Sequence, residues 1–350
     1  MQPPIKGRGT SDNPSGRFEK IAYEVNEYAD DPFDDPAPVT QFLRDDSKTL
    51  ITYNDSPDVG FDASINVYRG CEHGCIYCFA RPTHEFLGFS PGLDFETRIL
   101  VKENAPQLLR EELSSRKWNP QVLAMSGVTD PYQPIERKLR LTRRCLEVLV
   151  EFRNPVCVIT KSHLVTRDTE LYAELAGYNA AMVNISLTSL DERLARVLEP
   201  RAAAPERRLA AIRALSEAGV PVRALMAPII PAINDHELPA MAMAAREAGA
   251  KFAGYVALRL PYGLKDLFSN WLEQHFPDRK ERVLSRLRSM RGGELNDPNF
   301  KTRMRGEGAY ADQIKALFKI ACRKAGLSDG GKDLSVDAFE RPGARQLELF

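Results

Sequence analysis

Arg69-Gly70-Cys71-Glu72-His73-Gly74-Cys75-Ile76-Tyr77-Cys78-Phe79 is the stretch on which the reading of this chain turns. Three of its six cysteines crowd into eight residues, and six in 350 are too few for a disulfide scaffold. In a chain of this kind such clustering points to a metal. Cys71, Cys75 and Cys78 can each hold one iron of a 4Fe–4S cube, which leaves the fourth iron without a protein ligand. A cluster that only passes electrons normally has four ligands, and an open metal position marks a site that takes substrate or cofactor. The same spacings also suit a zinc ion held by the three cysteines with His73 or a distant fourth residue.

Outward from this loop the chain alternates. Ile65 to Tyr68 is a short β-prone run leading into the cysteines, and Val122–Met125, Val156–Ile159, Met182–Leu187, Val222–Met226 and Phe252–Leu258 are further apolar runs. Between them lie helical patterns at Pro106–Lys117, Thr142–Phe152 (with Thr142 as its N-cap), Asp168–Tyr178, Pro205–Ala218 and Glu237–Ala248. Continuous apolar strands alternating with amphipathic helices predict parallel βα units. Six are too few for a closed eight-fold barrel, so the expected fold is α/β, a partial (β/α)6 TIM-type barrel, with a doubly wound sheet as the second choice. Either gathers functional groups at the C-terminal strand ends. Helices follow at Lys265–His275, Asp278–Arg291 and Ala309–Ala325, with a basic, glycine-bearing loop, RGGELNDPNFKTRMRGEG, before the last.

The strand ends carry polar groups. The second runs into Gly127-Val128-Thr129-Asp130-Pro131-Tyr132-Gln133-Pro134-Ile135-Glu136, the third into Thr160-Lys161-Ser162, and the fourth holds Asn184, Ser186 and Thr188. The cysteine loop resembles that of the radical S-adenosylmethionine (SAM) enzymes, including the aromatic Tyr77 before the last cysteine. That resemblance implies a 4Fe–4S cluster on Cys71, Cys75 and Cys78 whose open iron chelates SAM. It also implies reductive cleavage of SAM to a 5′-deoxyadenosyl radical and an electron donor of flavodoxin or ferredoxin type. On charge grounds Lys161 would pair with the SAM carboxylate, Thr129 and Asp130 would accept from its amino group, and Ser186 or Asn184 would hold the ribose. TDPYQPIE followed by TKS resembles the branch that includes spore photoproduct lyase, a DNA-repair enzyme. By that resemblance Tyr77 is a catalytic tyrosine, and Thr129, Lys161 and Ser186 contact SAM. The lyase's returning cysteine has no counterpart in SGVTD, and Phe79 replaces its second tyrosine, so the expected substrate is a nucleic acid other than the spore lesion. An RNA- or peptide-modifying enzyme, or a zinc- or cluster-stabilised binding module without chemistry, are the rival readings.

Composition bounds the partners. Lys plus Arg and Asp plus Glu number 48 each, so net charge argues for no polyanion and any nucleic-acid surface must be local. No apolar run is long enough to cross a bilayer, and the first residues carry no apolar signal core, so a cytoplasmic protein is expected. The remaining cysteines, Cys145, Cys157 and Cys322, read as buried packing. The chain divides into an arm rich in Pro, Gly and Asp (1–56), a radical SAM core (57–295), a helical C-terminal extension (296–340) and a tail (341–350). The tail ends in Gln346-Leu347-Glu348-Leu349-Phe350, which resembles the peptide by which repair proteins hold the DNA polymerase sliding clamp. Gln346 would hydrogen bond there while Leu347, Leu349 and Phe350 fill an apolar cleft.

Overall fold

The computed structural model describes residues 4–18 and 38–342. The strands are β1 (Gln41–Arg44), β2 (Ile51–Tyr53), β3 (Ala63–Ile65), β4 (Tyr68–Arg69), β5 (Arg98–Val101), β6 (Leu123–Met125), β7 (Val156–Thr160), β8 (Ala181–Ser186), β9 (Val222–Ile229), β10 (Phe252–Ala257) and β11 (Ser328–Asp329). The α-helices are α1 (Asp94–Thr97), α2 (Ala105–Ser114), α3 (Glu136–Leu139), α4 (Leu141–Phe152), α5 (Thr169–Gly177), α6 (Glu192–Leu198), α7 (Pro205–Glu217), α8 (Leu238–Glu247), α9 (Leu264–His275), α10 (Pro277–Met290) and α11 (Ala309–Ala325).

The main sheet runs β11-β10-β9-β8-β7-β6-β3-β2. Six strands, β3 and β6 to β10, are parallel in chain order, as expected of a partial (β/α)6 barrel. β11 adds to β10 in parallel at one edge and β2 to β3 antiparallel at the other. All six residues of β8 are buried, which is why such strands read as unbroken apolar runs rather than alternating ones. Helices cover the outer face, and their apolar residues form one core with the outward-facing strand residues. A second core lies beside the cysteine loop, where Ile76 and Tyr77 join Leu198 of α6, Leu258, and Phe268 and Trp271 of α9.

Three local expectations differ. The run Ile65–Tyr68 is split, because Asn66 turns its side chain out to accept from Gly127 N (2.9 Å) and Val128 N (3.1 Å) at the tip of β6. The arm contributes strands: β1 pairs in parallel with β5, and β4 completes a small separate sheet. Thr142 is not the N-cap of α4. It lies inside the first turn and donates its hydroxyl to Pro131 O, while the Glu136 carboxylate accepts from the N–H groups of Thr142 and Arg143 (3.1 and 3.3 Å). The tail 346–350, and with it the clamp-like peptide, lies outside the described residues.

Candidate active site at the cysteine loop

The loop leaves β4 through Gly70, whose φ of +81° and neighbours forbid a side chain: a Cβ would stand 2.8 Å from His84 Cε1 and 3.0 Å from Phe95 O. Cys71 N then donates to Phe95 O (2.9 Å), Gly74 N to Cys71 O (3.4 Å) and Cys78 N to Cys75 O (3.2 Å). Arg81, fully buried, staples the far side: Nε donates to Cys75 O (3.0 Å), Nη1 to Gly92 O (2.8 Å), and Nη2 pairs with Glu96 (2.5 Å). Glu96 in turn accepts from Gly9 N (2.9 Å), so the arm closes over the loop. A Cβ on Gly9 would fall 1.8 Å from Gly74 O.

The tip of β6 grips the loop from the barrel side. Thr129 donates to Gly70 O (2.7 Å), and Gln133 Nε2 donates to Gly70 O and Thr129 Oγ1 (3.2 Å each). Gln133 Oε1 accepts from Glu72 N (2.9 Å), and Glu72 Oε2 accepts from Ile135 N (2.8 Å). Asp130 ties β6 to β7, accepting from Thr160 Oγ1 (2.7 Å), Lys161 N (2.8 Å) and Tyr132 N (2.9 Å), with His73 Nδ1 at 3.3 Å. Burial works against its charge, but His73 and these donors hold its pKa down to about 2. Thr129 and Asp130 therefore stand beside the cysteine loop, with their polar atoms engaged in positioning that loop and the strand tips.

Lys161 and Tyr77 come together behind Cys75, the ammonium 5.8 Å from the ring centroid. The Tyr77 hydroxyl donates to Glu199, which also accepts from Thr188 (2.6 Å) and pairs with buried Arg208. Arg208 also donates to Ser186 O (3.2 Å), which links the end of β8 to the same network. Desolvation disfavours the Glu199 charge, yet Arg208 and Lys161 keep its pKa below the ordinary value. Ser186 itself is buried, and Asn184, two residues before it on the same face, is committed to Cys157 Sγ (3.0 Å) and Val158 O (3.1 Å).

These residues fit a 4Fe–4S cluster held by three thiolates. Cys71 and Cys75 are buried and Cys78 half-buried, while Cys145, Cys157 and Cys322 lie on α4, β7 and α11. Burial raises the Cys71 thiol well above its usual range and that of Cys75 to about 12, so thiolates form here against the charge that a metal supplies. His73, the nearby fourth ligand that a zinc ion would need, faces Asp130. Glu72, Gln133, Glu136, Glu199 and Arg208 were not assigned roles from sequence. Gln133 and Glu136 stand in the quoted motif, but nothing local separates a buried Glu199–Arg208 pair from surface charges.

Three grouped cysteines at the C-terminal mouth of a partial parallel barrel define a cluster-dependent barrel enzyme. Residues 65–245 match the radical SAM superfamily, and the chain belongs to it. An uncharacterized protein of Mycobacterium tuberculosis is 35% identical over 248 residues, 70% of this chain and 72% of that one. One of Methanocaldococcus jannaschii is 29% identical over 219 residues, 63% and 78% of the two chains. Among solved structures, spore photoproduct lyase complexed with dinucleoside spore photoproduct shares the fold, with a TM-score of 0.58 and 15% identity over 82% of this chain and 81% of that one. A variant of the lyase with bound AdoMet and the same dinucleoside gives 0.53 and 15% over 84% and 82%. The protein is thus a radical SAM enzyme that uses a 4Fe–4S cluster and SAM. Among the described residues no helix is long and apolar enough to cross a membrane.

Proposed function

We propose that this enzyme modifies or repairs nucleic acid by hydrogen-atom abstraction in the cytoplasm. The observation that carries the reading is the set of three grouped cysteines, with no fourth, at the mouth of the barrel. When bound, the cluster and SAM supply a 5′-deoxyadenosyl radical, the electron coming from a flavodoxin- or ferredoxin-type donor. Cys71, Cys75 and Cys78 hold the irons. Lys161 and Ser186 face SAM, the first toward its carboxylate. Thr129, Asp130 and Gln133 fix the loop and strand tips against which SAM lies, and Tyr77, its proton committed to Glu199, orients Cys75 and Lys161. The nucleic-acid target is supported by the lyase-like fold, and the absence of a cysteine from Ser126 to Asp130 separates the reaction from the lyase's own. The chain works as an arm (1–56), a catalytic core (57–295), a helical extension (296–340) and a tail (341–350). In the tail Gln346, Leu347, Leu349 and Phe350 hold the sliding clamp, which raises the enzyme's concentration on DNA.

Anaerobic reconstitution followed by reduction with SAM should yield 5′-deoxyadenosine, and damaged DNA should raise that yield above the level with undamaged DNA, tRNA or peptide. A colourless protein that Cys75→Ala leaves equally active would overturn the chemistry. Stimulation by peptide alone would overturn the substrate class. Removing Phe350 should abolish co-elution with the clamp at unchanged iron content, and retained co-elution would refute the tether.

A further inference from the structure

The rim between the cysteine loop and β10 carries exposed rings where a soluble surface has no need of them. Phe79, next to Cys78, is 51% exposed, Phe86 71%, Tyr262 59% and Phe18 56%. Three of them, Phe18, Phe86 and Tyr262, gather round one arginine. Arg17, held by Glu85 (2.6 Å), stacks 3.6 Å over Tyr262 and lies 4.9 Å from Phe18 and 5.8 Å from Phe86. The rings of Phe18 and Phe86 are 4.7 Å apart.

Beside them stands a cation that forms no ion pair among the described residues. Arg259 follows the end of β10, its guanidinium 5.6 Å from the Phe79 ring. Its Nη1 reaches only Met304 Sδ (3.6 Å), its Nε is buried without a partner, and it joins no ion pair among the described residues. Its basic neighbours are engaged: Arg303 pairs with Asp58 (2.5 Å), and Arg291 donates to the carbonyls of Leu258, Thr302 and Arg303 through its terminal nitrogens, its Nε alone lacking a partner. Burial, with Arg303 and Arg291 adding to it, lowers the Arg259 pKa to about 10, and the more distant charges of Asp58 and Asp297 offset this only in part. An anion would relieve the strain of like charges held together.

We propose that this ledge binds an unpaired stretch of nucleic acid, with bases stacked on Phe79, Phe86 and Tyr262 and a backbone phosphate on Arg259. Ring faces take any base, and arginine takes the phosphodiester, the combination that single-strand binding requires. A duplex offers no free base faces, so a target inside one must be flipped out to reach the barrel mouth. The proposal rests on the nucleic-acid reading above and narrows it to unpaired substrate.

Fluorescence anisotropy with a short labelled single-stranded DNA, the same sequence as RNA, and its duplex tests the ledge on the reconstituted full chain. The single strands should bind more tightly than the duplex. Phe86→Ala and Tyr262→Ala should each weaken single-strand binding at least about fivefold, whereas Phe86→Tyr and Tyr262→Phe, which keep the rings, should not. Arg259→Gln should lower the slope of log affinity against log salt by about 0.7. Ile320→Ala, on the exposed face of α11, is the control. Iron content and melting temperature report folding of each variant. Equal binding by the ring-deleted variants, or preference for duplex, overturns the ledge and leaves the nucleic-acid reading standing. Failure of the wild-type chain to bind any of the probes overturns both.

Discussion

His84 is fully buried beneath the cysteine loop, its Nε2 donating to Arg98 O (2.9 Å) while Nδ1 meets no partner against the edge of Phe95. The ring is therefore neutral, and desolvation lowers its pKa from 6.5 to about 4. In the unfolded chain it binds a proton near pH 6.5, so its share of stability is present above that value and is lost as the pH falls toward 4. The loss amounts to about 3 kcal/mol. Urea unfolding from pH 7.5 to 4 should show this decline, and His84→Gln, which keeps the donor but cannot titrate, should flatten it. A midpoint in the wild type that stays level across this range would contradict the assignment. None of this is legible in the sequence, where nothing next to His84 marks it as buried. Ligand spacing is written locally in Cys71, Cys75 and Cys78, but the partners that bury His84 lie up to fourteen residues away, on α1 and β5.

The helices and most parallel strands were legible because their periodicity is local: Ala309–Ala325 is a helix over those very residues, and β6 to β10 fall on the apolar runs, whereas β3 meets its expected run only at Ile65. The cap of α4 was not, since a threonine before an apolar run is the usual sign of one. Here the connection from β6 to α4 is organised instead by Glu136. Its carboxylate accepts from Tyr68 OH (2.6 Å), Thr142 N (3.1 Å) and Arg143 N (3.3 Å), and Arg167 pairs with it at 2.8 Å. Because Glu136 also ends the motif that grips the cysteine loop, one buried charge serves both a helix terminus and the site. Glu136→Ala should cost about 1–3 kcal/mol, since it leaves Tyr68 and the helix donors without their acceptor and Arg167 with Asp168 alone. Denaturant unfolding measures this, and the same variant should release iron faster to a chelator. A loss below about 1 kcal/mol, the size of a surface contact, would show that the network is replaceable. The small sheet of β1, β4 and β5 was also missed, because strands of two to four residues carry too little pattern to stand out from loops.

Across the whole molecule the cysteine loop is enclosed by elements far apart in the chain. α6 and α9 back it through Leu198, Phe268 and Trp271, β6 grips it through Thr129 and Gln133, and the arm covers it through Arg8, which donates to Glu96 O (3.1 Å), and Gly9. The sequence marks out an arm rich in Pro, Gly and Asp. It could not show that two glycines separated by 65 positions must touch. Gly9→Val should lift the arm, bleach the cluster several-fold faster in air and lower the melting temperature. Unchanged bleaching would show that other elements shield the irons. The same contact imposes an order in time on the making of this enzyme. Gly9 leaves the ribosome long before Gly74 and Glu96 exist, so it waits as a loose end while the three cysteines are synthesised and exposed. Until it docks, one wall of the loop is missing. Iron delivered in that interval meets Cys71 and Cys75 before folding has buried them.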